Sequence, residues 1–116
     1  MRGIIFHERM ITLIKDLIGV AAVYEQLAEE SAELSKAALK CARIVRGENP
    51  TPMTPEDALA DLKEEYTDTV LVADELGIRP DYGIYAEKLG RWYDRLKEGG
   101  YVAQKQESQS AETAKA

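Results

Sequence analysis

Apolar residues recur at helical spacing along most of this chain, and strand-like alternation is nowhere sustained. Between Glu8 and Ile18, Ile11, Ile14 and Ile18 fall on one stripe, which predicts a short helix interrupted by Gly19. From Val20 to Arg46 the sequence is rich in Ala, Leu, Glu and Lys and contains no Pro or Gly. A single long helix is expected there, with Gly47 suited to its C-terminal cap. The segment from Gly47 to Pro55 carries three prolines and cannot continue a helix. Thr54 and Pro55 then read as the N-cap and first residue of a third helix, expected to run to Leu76 and close at Gly77. Its inward stripe is read as Leu59, Leu62, Tyr66, Thr69, Ala73 and Leu76. A fourth helix follows Pro80 and Asp81, carrying Ile84, Leu89, Trp92 and Leu96 before Gly99, with Trp92 expected in the core.

These segments predict an all-α protein of about four antiparallel helices, with residues 1–98 forming one domain. Residues 99–116 hold little that can be buried, so a disordered tail is expected. An apolar share of 45% beside 31% charged residues fits a soluble globular chain. Acidic residues outnumber basic ones 21 to 15, for a net charge of −6, which opposes adhesion to nucleic acid or anionic lipid. An anionic ligand would therefore need a local basic patch or a bridging cation. Cys41 is the sole cysteine, which rules out an intrachain disulfide and suits a reducing, cytoplasmic setting. The start of the chain has too few consecutive apolar residues for an export signal, and no stretch reaches membrane-spanning length.

The long second helix contains an anomaly. Val23, Leu27, Leu34 and Cys41 define an inward seam with steps of three and four, and the same register includes Ala37 and Glu30. Glu30 thus puts a carboxylate where packing favours an aliphatic residue. Glu33 lies one turn away, and the third helix repeats the spacing with Glu65 and Asp68, bordering its apolar stripe. One such pair usually marks a solvated helix face. Two facing pairs concentrate negative charge that must be protonated, opposed by cations or bound to a metal, and no Lys or Arg shares these stripes. Oxygen ligands without imidazole or thiolate select Mg²⁺, Mn²⁺ or Ca²⁺. Lys88, Arg91 and Arg95 form a basic ridge on the last helix, and Lys36 and Lys40 lie on the second. Both sets are candidate phosphate-binding residues, although the ridge can equally be a solvated basic face.

The pattern Glu29-Glu30-x-x-Glu33 followed by Glu65-x-x-Asp68 resembles the signature of the MazG and all-α NTP pyrophosphatase superfamily, over roughly residues 10–98. Leu34 after Glu33, the Arg46-Gly47 helix end and the Lys88, Arg91, Trp92, Arg95 set add to the likeness. The proline-rich connection between the acidic pairs is longer than is usual for that signature. The resemblance implies a MazG-like antiparallel four-helix bundle, assembled as a homodimer or homotetramer. It further implies Glu30, Glu33, Glu65 and Asp68 as catalytic residues and ligands of Mg²⁺, with Mn²⁺ able to substitute. The implied reaction is attack of water on the α-phosphorus of a nucleoside triphosphate, releasing the monophosphate and pyrophosphate. The alternative is a helical nucleotide-binding or regulatory module of the same fold without turnover. A ferritin-like di-metal oxidase would need Glu-x-x-His pairs, and the only histidine, His7, lies outside every pair.

Overall fold

The computed structural model describes residues 14–48 and 52–102, and among these the only regular structure is helical. Four helical elements precede Gly99: α1, residues 14–18; α2, Val20–Arg46; α3, Pro55–Glu75; and α4, Tyr82–Glu98. None of the described helices is long and apolar enough to cross a membrane. The chain divides between Arg79 and Pro80 into two compact units, a boundary that falls inside the range 1–98 read from sequence as one domain.

In the first unit, Gly19 separates α1 from α2 by adopting φ 87° and ψ 155°, a conformation that a side chain would oppose. Helix α2 ends as its sequence predicts. Gly47 is left-handed at φ 71°, its N–H donates to the Ile44 carbonyl, and the Glu48 N–H donates to Arg43, which satisfies carbonyls left open at the helix end. At the start of α3 the Thr54 hydroxyl accepts from the Asp57 N–H at 3.1 Å, with Pro55 in the first turn where its missing N–H costs nothing.

Helices α2 and α3 pack as an antiparallel pair. The late α2 residue Cys41 donates through Sγ to the carbonyl of Ala58, early in α3, at 3.4 Å. Midway, Glu30 meets Glu65 and Asp68. Along α2 the predicted seam is present, with Val23 buried and Leu27, Glu30, Leu34, Ala37 and Cys41 half-buried. The stripe read in the sequence of α3 is met in part, with the inward face shifted away from Leu59 and Tyr66. Ala58 and Val72 are buried and Leu62, Glu65, Asp68, Thr69, Ala73 and Leu76 half-buried, whereas Leu59 and Tyr66 are 48% and 60% exposed. Small Ala58 lets the two backbones approach at the Cys41 contact, which a larger side chain would prevent. Glu65 and Asp68 consequently lie within the interhelical seam rather than on its border. Apolar burial among the described residues is sparse, being confined to Val23, Ala58 and Val72.

The second unit contains α4, capped by Asp81, whose carboxylate accepts from the N–H groups of Gly83 and Ile84 at 3.0 and 3.1 Å. Within this unit no residue of α4 is buried, so the expectation of a core Trp92 is not met there. Beyond the Gly99–Gly100 turn, residues 101 and 102 are helical. The rest of the expected tail, 103–116, and the first part of the first helix, before residue 14, lie outside the described residues.

Candidate metal centre

The antiparallel pairing decides which of the acidic residues meet. Residues three apart on α3 project from one face, so Glu65 and Asp68 both reach toward α2 at the level of Glu30. The three carboxylates are half-buried, and one oxygen from each lies within 4.8 Å of the others. Three like charges at this separation repel strongly and are incompletely solvated. A divalent cation bound by hard oxygen ligands removes that repulsion, so the donor set and its spacing fit Mg²⁺ or Mn²⁺.

The electrostatic strain is concentrated at Glu65. Partial burial raises its pKa above the ordinary carboxylate value, and the charges of Asp68, Glu30, Glu33 and Glu64 raise it further. Because the folded chain holds this proton to higher pH than the unfolded chain, the group's contribution to stability is complete below the ordinary carboxylate pKa. It is lost as pH rises through the raised value. A cation must displace the same proton. Mg²⁺ is therefore expected to raise the melting temperature more at about pH 7.5 than at about pH 5. Calorimetric scans of the wild type and Glu65→Gln would check this, and an equal Mg²⁺ effect at both pH values in the wild type would refute it.

Of the four residues the resemblance implied, three converge. Glu33 stands apart from the trio: it is exposed and pairs with Lys36 at 3.3 Å, although it remains near enough to Glu65 to contribute to its raised pKa. Glu29 and Glu64, the neighbours left outside the ligand set, are both exposed. Gln26, not singled out in the sequence, donates from Nε2 to the Glu30 carboxylate at 2.8 Å and so orients it. Its position one turn before Glu30 was the available signal.

Two hollows adjoin the trio, displaced toward opposite ends of the α2–α3 pair. One, of about 320 Å³, is lined by Glu30 and Asp68 together with Gln26 and Glu75 and by the apolar Ile14, Ile18, Val23, Leu71 and Val72. The other, of about 160 Å³, is lined by Glu65 and Glu33 with Lys36, Lys40, Ala37, Ala58 and Asp61. The carboxylates thus stand between an apolar cavity and a lysine-bearing one. In the second unit, Lys88, Arg91 and Arg95 line a separate hollow of about 290 Å³ with Trp92, and Arg91 pairs with Glu87 at 3.4 Å. The chain has no match among protein families, curated proteins or solved structures.

Proposed function

We propose that this chain is a Mg²⁺-dependent nucleoside triphosphate pyrophosphohydrolase of the MazG-like type, splitting an NTP or dNTP into its monophosphate and pyrophosphate. The observation that carries this reading is the position of the Glu30, Glu65, Asp68 trio between an apolar cavity and a hollow lined by Lys36 and Lys40. A nucleoside triphosphate has the same order of chemistry: a flat base, then the α-phosphoryl group, then the most highly charged phosphates. With the base in the apolar cavity and the outer phosphates toward the lysines, the α-phosphorus falls beside the carboxylates.

Glu30, Glu65 and Asp68 would hold the divalent cation, which when bound neutralises phosphate charge and polarises the phosphorus centre. Gln26 fixes the orientation of Glu30. Glu33, outside the trio but near enough to Glu65 to raise its pKa, is the carboxylate we assign to orienting the attacking water and accepting its proton, while pyrophosphate leaves from the α-phosphorus. Lys36 and Lys40 supply positive charge to the departing group. Assembly as a homodimer or homotetramer belongs to the same proposal. Its support is the sparse apolar burial together with the exposure of Leu39, Val45, Leu59 and Tyr66 on the first unit.

The test is a panel of NTPs and dNTPs incubated with Mg²⁺, with pyrophosphate and orthophosphate measured separately. Pyrophosphate and monophosphate in equal amounts are expected. Orthophosphate as the only inorganic product would move cleavage to another bond, and tight nucleotide binding without either product would favour a regulatory module.

A further inference from the structure

Glu75, in the last turn of α3, is a carboxylate outside the metal trio whose environment is unusual. The residue is only 6% exposed, the most deeply buried charged side chain among the described residues, and its Oε2 has no hydrogen-bond partner there. Buried polar atoms are almost always paired, because an unpaired one forfeits its hydration without compensation, and a carboxylate oxygen forfeits more than a neutral one. Glu75 also lines the apolar cavity beside Glu30 and Asp68. The cavity, at about 320 Å³, lies at the lower end of the range of small-molecule sites, roughly 300–1,000 Å³.

From these two observations we infer that Glu75 is a specificity residue that reads the base, accepting a hydrogen bond from a ring N–H or amino group of a nucleobase held in the cavity. The inference rests on the nucleotide reading of the site proposed above. The walls supplied by Ile14, Ile18, Val23, Leu71 and Val72 suit the faces of a flat heterocycle, and they offer no hydrogen-bonding side chain to its edge. Glu75 and Gln26 are the polar lining residues besides the two metal-binding carboxylates, and Gln26 is already engaged with Glu30. A carboxylate is an acceptor only, so its complement is a donor on the base. The terminal torsion of a glutamate is soft, and either oxygen can therefore turn to meet that donor. Glu75 is removed from the phosphates and acts on binding rather than on the bond being broken.

The experiment compares, in the wild-type chain with Mg²⁺, triphosphates that differ only in the donor: dATP against its analogue lacking the 6-amino group, and dUTP against its N3-methyl analogue. Removing the donor should raise KM by roughly ten- to a hundredfold with kcat little changed, the size expected for a hydrogen bond to a charged group. Glu75→Met should raise KM for the parent substrate and abolish the difference between parent and analogue, while Glu75→Gln, which keeps an acceptor oxygen, should reduce it. Equal KM values for parent and analogue in both pairs in the wild type would overturn the inference without disturbing the hydrolase reading. If no triphosphate yields pyrophosphate, the hydrolase reading fails, and the Glu75 inference is decided by calorimetric titration of the corresponding nucleosides without Mg²⁺. Weaker binding of the donor-deleted nucleosides would then support it, and equal or undetectable binding of both members of each pair would overturn it.

Discussion

Glu30→Gln, Glu65→Gln and Asp68→Asn should each lower Mg²⁺-dependent pyrophosphate release by roughly a hundredfold or more, while far-ultraviolet circular dichroism shows the helices retained. Each change removes a charge from the trio but little volume. The amide at position 30 still offers an oxygen to Gln26, so the local hydrogen bond survives. The same variants should stabilise the metal-free protein, because the carboxylates that converge within 4.8 Å repel one another, and should lose the stabilisation that Mg²⁺ gives the wild type. Opposite signs for activity and stability distinguish a functional cluster from a structural one. Glu29→Gln is the control: Glu29 is exposed and outside the trio, and its loss should change neither quantity appreciably. Undiminished turnover in the three trio variants would remove the carboxylates from the mechanism, and destabilisation of the apo protein would make them structural.

The second large effect is expected from Ala58→Leu. Ala58 is 2% exposed and its carbonyl accepts from Cys41 across the helix pair, so a longer side chain has no room unless α2 and α3 separate. Overpacking of this kind costs about 1–3 kcal/mol. In a small helical protein that corresponds to a fall in melting temperature on the order of 10 °C. Separation would also spread the trio, so the Mg²⁺-induced stabilisation should shrink with it. Leu59→Ala, one position along, removes apolar surface from an exposed site and should change stability by only about 0.5 kcal/mol or less. The reverse ranking, with Leu59→Ala the more damaging, would restore the register read from the sequence. Thermal unfolding of both variants with and without Mg²⁺ decides between the registers.

That register shows where reading the sequence stops being sufficient. The α2 seam was legible because its large residues, the buried Val23 and the half-buried Leu27 and Leu34, are themselves the inward ones, and Glu30 stood out against them. In α3 the large residues mislead. Leu59 and Tyr66 have the right spacing for a core stripe, but the helices meet on the face bearing Ala58 and Val72, where a small residue allows close approach. Hydrophobic periodicity weighs size and spacing; it does not register that the closest crossing favours the smallest side chain. Glu75 escaped notice for a related reason. A glutamate in a helix's last turn, followed by Leu76 and Gly77, reads as solvated, although its position two turns beyond Asp68 places it on the same face.

The sequence by itself determined the local order: helices over Val20–Arg46 and from Pro55 to about Leu76, the stops at Gly19, Gly47 and Gly77, the Thr54 cap, and the presence of two carboxylate pairs at helical spacing. Each of these depends on residues within a turn or two of one another, where propensity, capping and backbone freedom act. Only the tertiary structure decided which carboxylates converge, that Glu30, Glu65 and Asp68 meet without Glu33, and that Glu75 is buried beside an apolar cavity. Those outcomes depend on the axial rotation and offset of α3 against α2. The many weak contacts of the helix interface fix both, and neither helix's sequence encodes them alone.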